Sequence, residues 1–177
     1  MEELLRQGHE VHLVVTDAAW RVLKEEHGWE IHRREALFFE RFAHLPGRLH
    51  YHPVKDIGAS IASGSFRVEA MAVVPCSMGT LAKLAHGFSS NLLERAADVM
   101  LKERRPLVIV PRETPLSTIH LENMLALSRA GAMIVPAMPA FYNRPQTVED
   151  MVAFVAGKVL DLLGVEHGLY RRWEGGT

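Results

Sequence analysis

Residues 107–123 read LVIVPRETPLSTIHLEN, and this stretch decides the fold. Leu107, Val108, Ile109 and Val110 are consecutive apolar residues, three of them β-branched, with no polar alternation. Such a run suits a strand buried on both faces, the kind found in parallel sheets. Pro111, the charged pair Arg112 and Glu113, and a proline-containing turn come next. Ser117 then has the identity and position of a helix N-cap. Ligands of open α/β sheets sit beyond the carboxyl ends of strands, which is where Arg112 and Glu113 stand. A surface ion pair in a loop is the plainer explanation of those two, so the flanking chain has to decide.

Strands alternate with helices on either side. Upstream, Gly8 stops an opening helical stretch, residues 10–16 (EVHLVVT) predict a buried strand, and residues 17–26 return to helical spacing. Residues 27–69 are the least legible; 50–52 read as a short strand and the Gly- and Ser-rich 56–65 (DIGASIASGS) as a loop. Residues 70–74 form a second apolar strand, ending in Pro75-Cys76-Ser77-Met78-Gly79-Thr80, with helical stretches over 81–86 and 91–104. Downstream, a helix over 117–129 stops at Gly131, and residues 132–135 form another strand. A proline-punctuated loop, 136–145 (PAMPAFYNRP), leads to a last helix that opens with Thr147 and Asp150 in capping-box spacing and stops at Gly164. Alternation of this kind predicts a parallel sheet covered on both faces.

The 177 residues suit one domain spanning 1–177, with 48% hydrophobic and 23% charged residues excluding a disordered chain. A net charge of -1 without a long basic run gives no support to nucleic-acid or anionic-membrane binding. The sequence shows neither a membrane-spanning run nor a signal peptide, and a single cysteine, Cys76, is compatible with a cytoplasmic protein. Ten histidines raise the question of a metal, but no HExxH pattern or Cys/His constellation is present. His50 and His52 share one face of a strand, and a third ligand would have to come from elsewhere. No metal site is expected.

Three strand ends carry polar residues: Thr16, the turn Ser77-Met78-Gly79-Thr80, and Arg112-Glu113. In a parallel sheet such ends share an edge and can converge on one ligand. Ser77, Gly79 and Thr80 offer hydroxyls and backbone N–H groups to an anion, although an ordinary N-cap would use the same residues. Arg95 and Lys102 stand two turns apart on one helix face, as anion-binding cations or as snorkelling surface residues. Cys76 reads as a small buried residue rather than a nucleophile.

Taken together, VVPCSMGTLAKLAHG, NLLERAADVMLKERRPLVIVPRETPLSTIHLENM, PAMPAFYNRPQTVEDMVAFV and the closing RRW resemble the flavin prenyltransferase family (UbiX-like), once called aromatic acid decarboxylases. The match is dense over 71–173 and looser over 8–26. The resemblance implies a Rossmann-like three-layer α/β sandwich with a mostly parallel sheet. It implies a homo-oligomer, usually a dodecamer, with sites at subunit contacts. The implied activity joins dimethylallyl, from dimethylallyl monophosphate, to N5 and C6 of reduced FMN. Prenylated FMN then serves UbiD-like decarboxylases in ubiquinone biosynthesis and aromatic acid decarboxylation, and no metal is needed.

By position, Thr16, Ser77, Met78, Gly79, Thr80 and Arg112 match FMN-binding residues. Tyr142 and Lys158 match dimethylallyl phosphate ligands, Arg95 and Lys102 further cations for the phosphate, and Glu113 an acid/base carboxylate. Glu26 matches another site carboxylate, and Trp173 an aromatic near the prenyl pocket.

The family pattern opens with a strand and a Gly-Ala-Ser-Gly type loop, whereas Met1 falls inside the helix expected after it. The sheet is therefore expected to lack its first strand, and the natural gene product to be longer. Two other readings remain at this point. One is a flavin-dependent cysteine-peptide or phosphopantothenoylcysteine decarboxylase, against which stand Ala18-Ala19-Trp20 in place of a helix histidine and Pro136-Ala-Met-Pro139 in place of a Pro-x-Met-Asn clamp. The other is a truncated, non-catalytic flavin-binding oligomer.

Overall fold

The computed structural model describes residues 1–29 and 31–173. Its elements in order are α1 (Glu2–Arg6), β1 (Glu10–Val15), α2 (Asp17–His27), a 3-10 turn (Ile31–Arg33), α3 (Arg34–Phe42), β2 (Arg48–Pro53) and a second 3-10 turn (Ser60–Ala62). There follow β3 (Met71–Cys76), α4 (Met78–Ala85), α5 (Leu92–Lys102), β4 (Leu107–Pro111), α6 (Thr118–Arg129), β5 (Met133–Ile134) and α7 (Val148–Leu162). All strand pairs are parallel, and they fall into two sheets, β1-β2 and β3-β4-β5. An apolar run identifies a strand but not its neighbours, which is why a single sheet was the simpler expectation. The chain forms two compact units, Met1–Arg67 with Ser89–Ala96, and Val68–Phe88 with the chain from Ala97 onward.

In the first unit, alternation along β1 and β2 sorts the side chains onto two faces. Leu13, Val15, Leu49 and Tyr51 face an aromatic core of Trp20, Trp29 and Phe38 supplied by α2, α3 and the segment between them. Trp20 is fully buried, and Phe38 packs edge-on against it at 5.4 Å and against Trp29 at 5.3 Å. Glu10, His12, His50 and His52 lie on the opposite face. Gly47 allows the chain to enter β2, because a Cβ there would come within 2.6 Å of the His9 carbonyl and 2.7 Å of the Leu5 backbone.

In the second unit, β4 is the centre of the sheet and is buried along its whole length. Val108 and Val110 face α7, packing with Val155, Val159 and Leu163. Leu107 and Ile109 on the other face are equally buried, as the unbroken apolar run demands. Removing four such side chains from water is worth roughly 2 kcal/mol each. The caps form where the sequence puts them. Ser117 and His120 make a reciprocal capping box at α6, as do Thr147 and Asp150 at α7.

Candidate active site

The β3–β4 register pairs Cys76 with Pro111, so Ser77 and Arg112 are the next residues on neighbouring parallel strands. The spacing between strands is about 5 Å, so the two strand ends share one edge. Ser77 is the N-cap of α4; its Oγ accepts from the Thr80 N–H at 3.2 Å and donates to Thr80 Oγ1 at 3.0 Å. Helix α4 therefore begins at Met78, earlier than its apolar spacing suggests, and the whole Ser77–Thr80 segment is its first turn. Ser77 and Gly79 are exposed, and a Cβ at Gly79 would meet nothing within 4 Å. A ligand could thus approach the N–H groups of this turn, which also carries the positive end of the helix dipole. The Met78 side chain is buried at 7% exposure, so its part in this turn falls to its backbone.

Arg112 and Glu113 are both exposed after β4. No ion pair joins them among the described residues; Glu113 Oε1 accepts from the Thr114 N–H at 3.0 Å instead. The loop after β5 leaves from the same edge, since the Ala137 N–H donates to the Pro111 carbonyl at 3.0 Å. That loop carries Tyr142, whose ring meets Trp173 edge-on at 5.8 Å and Phe154 of α7 at 6.1 Å. Tyr142 and Trp173 are 52% and 67% exposed, so both rings keep a face open to a ligand. Lys158 stands one helical turn beyond Phe154, its ammonium 3.6 Å from Asp161. The second unit thus gathers the predicted residues 77–80 with 112–113, and Tyr142 with Trp173.

Helix α5 is buried along most of its surface, yet Arg95, Asp98 and Lys102 form an exposed stripe on it. Arg95 Nε donates to the Ala62 carbonyl at 3.2 Å, and Lys102 lies 3.2 Å from Glu103. The two cations are about 10 Å apart along the helix. In the first unit, Thr16 caps α2, its Oγ1 accepting from the Ala19 N–H at 3.1 Å. Glu26 is not brought to it: the two residues occupy opposite ends of α2, about 15 Å apart.

Two acidic residues escaped the sequence reading. Asp161 accepts from Tyr170 Oη at 2.6 Å, Arg172 at 2.7 Å and His167 at 3.1 Å, besides its ion pair with Lys158. Glu94 is buried at the start of α5, accepting from the Ser90 N–H at 2.8 Å and the Asn91 amide at 2.9 Å. Spacing held the clue to both, Asp161 three residues after Lys158 and Glu94 three after Asn91.

Cys76 is buried at 1% exposure, and that burial pushes its thiol up to about 12. Iodoacetamide at pH 8 is therefore expected to leave the native chain unmodified by intact mass, and to alkylate it once in denaturant; rapid native alkylation would contradict this burial.

The chain matches the Flavoprotein family over residues 1–160. It is 59% identical over 172 residues to the flavin prenyltransferase UbiX of Alkalihalophilus pseudofirmus, covering 97% of this chain and 86% of that protein. The crystal structure of AnUbiX in complex with FMN and dimethylallyl pyrophosphate superimposes with a TM-score of 0.88 at 44% identity, over 99% of this chain and 88% of that one. A dodecameric FMN-dependent UbiX-like decarboxylase from Escherichia coli gives a TM-score of 0.85 at 48% identity, over 98% and 90% of the two chains. With its strand-end turn, its Arg112-Glu113 pair and this likeness over nearly its whole length, the chain belongs to the UbiX-like flavin prenyltransferases of the Flavoprotein family.

Proposed function

We propose that the chain transfers a dimethylallyl group from dimethylallyl monophosphate to reduced FMN. The observation that carries this reading is the shared strand edge of Ser77–Thr80 and Arg112-Glu113, in a chain 59% identical to a flavin prenyltransferase. The open space at Gly79 and the first-turn N–H groups of α4 fit a flavin, a flat ligand with polar edges and a phosphate. Bound reduced FMN supplies the nucleophilic N5 and C6 to which the prenyl group becomes joined.

The residues of the chain do the rest. Breaking an allylic C–O bond leaves a phosphate bearing new negative charge. Lys158 and Lys102 provide fixed cations for it, which act where the charge develops. The Tyr142 hydroxyl adds a donor, and the Tyr142 and Trp173 rings shelter an electron-poor allyl group by the attraction that underlies cation–π contacts. Glu113 moves a proton between the phosphate and the flavin edge. Arg112 and the Ser77–Thr80 turn hold the flavin in register, which removes the entropy of a bimolecular encounter. The chain assembles as a homo-oligomer, as the dodecameric UbiX-like neighbour does. The product goes to a UbiD-like decarboxylase in the cytoplasm. Among the described residues no helix is long and apolar enough to cross a membrane.

Anaerobic incubation with reduced FMN and either dimethylallyl monophosphate or the pyrophosphate tests the reaction. Flavin heavier by one isoprene unit is the expected product, and it should activate a UbiD-like apo-decarboxylase. Unchanged flavin with both donors would overturn the proposal.

A further inference from the structure

The β1–β2 register sets His12 directly opposite His50, and Glu10 one step along on the same face. In the sequence His50 and His52 lack a third ligand; the neighbouring strand brings two. One imidazole nitrogen of His12, one of His50 and a Glu10 oxygen all lie within 4.8 Å of one another. Glu10 Oε1 is 2.8 Å from His50 Nε2 and 3.7 Å from His12 Nε2, although Glu10 is opposite Arg48 in the register. His50 Nε2 is buried and lacks an aligned hydrogen bond despite that short contact. A nitrogen so close to a carboxylate, yet not pointed at it, is placed to share a cation with it.

We propose that Glu10, His12 and His50 form a binding site for a divalent transition-metal ion, with zinc the best match to the donor set. Two imidazoles and a carboxylate are a common zinc triad that leaves a fourth position for water. Tetrahedral zinc needs its ligand atoms about 3.3 Å apart; the Glu10 pairs at 2.8 and 3.7 Å lie close to that, and the set as a whole, within 4.8 Å, contracts to it through side-chain rotations. The surroundings support the role of each group. His12 Nδ1 lies 2.8 Å from His52 Nε2, and with the proton on Nδ1 the His12 Nε2 lone pair is free for the metal. His52 thereby acts as the orienting partner that a ligating histidine needs for its second nitrogen.

The rings of His50 and His52 stack on His12 at 4.8 and 5.1 Å, which fixes the plane of its imidazole. The charged groups around the cluster are Glu10, Arg48 opposite it, and Asp56 near His52. This site lies on the sheet face away from the aromatic core of the first unit, and its existence does not depend on the prenyl-transfer reading.

The full-length chain, treated with chelator and dialysed, should take up one Co²⁺ per chain with the intense visible absorption of a tetrahedral ion. Zn²⁺ should displace the cobalt and raise the melting temperature. His12→Ala and His50→Gln should each abolish stoichiometric uptake, and His52→Ala should weaken it about 10- to 100-fold. The paired change of exposed His27 and His44 to alanine should leave it intact. Circular dichroism of each metal-free variant separates loss of ligand from loss of fold; if the alanine variant is unfolded, the His50→Gln result decides. Uptake that survives His50→Gln in a folded chain, or no stoichiometric uptake by the wild type, would overturn the site.

Discussion

Glu113→Gln is expected to bind reduced FMN as the wild type does and to form the prenyl adduct about 10²- to 10⁴-fold more slowly, the usual contribution of a positioned acid or base. The residue is exposed immediately after β4, in a position set by the strand's complete burial. One carboxylate oxygen accepts from the Thr114 N–H, and the other is free for a ligand. Glutamine preserves the shape and, through its amide oxygen, the contact with Thr114. It cannot take up and return a proton. The discriminating measurement is anaerobic single turnover, followed by flavin mass, beside a flavin titration. A rate within threefold of wild type removes the proton-transfer role. A loss of flavin affinity that accounts for the whole effect turns Glu113 into a binding residue.

The parts of the fold that were legible are those decided within a few residues. Four apolar side chains without alternation identify β4, because only a strand covered on both faces tolerates them. Ser117 and Thr147 mark helix starts because a side-chain oxygen three residues before a free N–H is a local device. Helix α3 was missed for the complementary reason. Arg33 precedes it without any side-chain cap, and both Phe38, which is buried, and Phe39, which is exposed, lie within it. Its place follows from Trp20, Trp29 and Tyr51, residues distant in sequence. The distribution of strands over two sheets was equally out of reach, since hydrophobicity does not encode pairing.

The candidate site divides in the same way. Ser77 and Arg112 stand out because a strand end followed by a helix start is a local signal. That the two strands are neighbours is not. Tyr142 and Trp173 meet across 31 positions of chain, and only likeness to a family could bring them together beforehand. The burial of Met78 was not legible either, because its side chain belongs to the core while its backbone opens α4. The third and fourth members of the histidine cluster were hidden by register, which no spacing rule within one strand reveals.

Asp161→Ala is expected to lower stability by about 2 kcal/mol, which for a chain of this length is roughly 4–8 °C in melting temperature. The carboxylate is 19% exposed and accepts from three side chains, of which His167 has no exposed surface. Most of the loss comes from Tyr170 and His167, left without their acceptor; the partly exposed Arg172 and Lys158 are screened by water and contribute little. A pH series identifies the cause. Burial alone would raise the Asp161 carboxyl, but the Tyr170, Arg172 and His167 hydrogen bonds outweigh it and hold the group well below the usual carboxylate range. A carboxyl depressed on folding stabilises the native state fully above its unfolded value, about 3.9, and that contribution drains away as the pH falls below it. The wild type and Asp161→Ala should therefore differ by a constant amount from pH 5 to 8 and converge in stronger acid. A gap that persists unchanged into acid would mean that packing, not the carboxylate, was lost. Lys158→Ala provides the contrast: its exposed ammonium should matter little to melting but raise the KM for the dimethylallyl donor, and an equal fall in stability would assign Lys158 to the Asp161 network instead of to substrate.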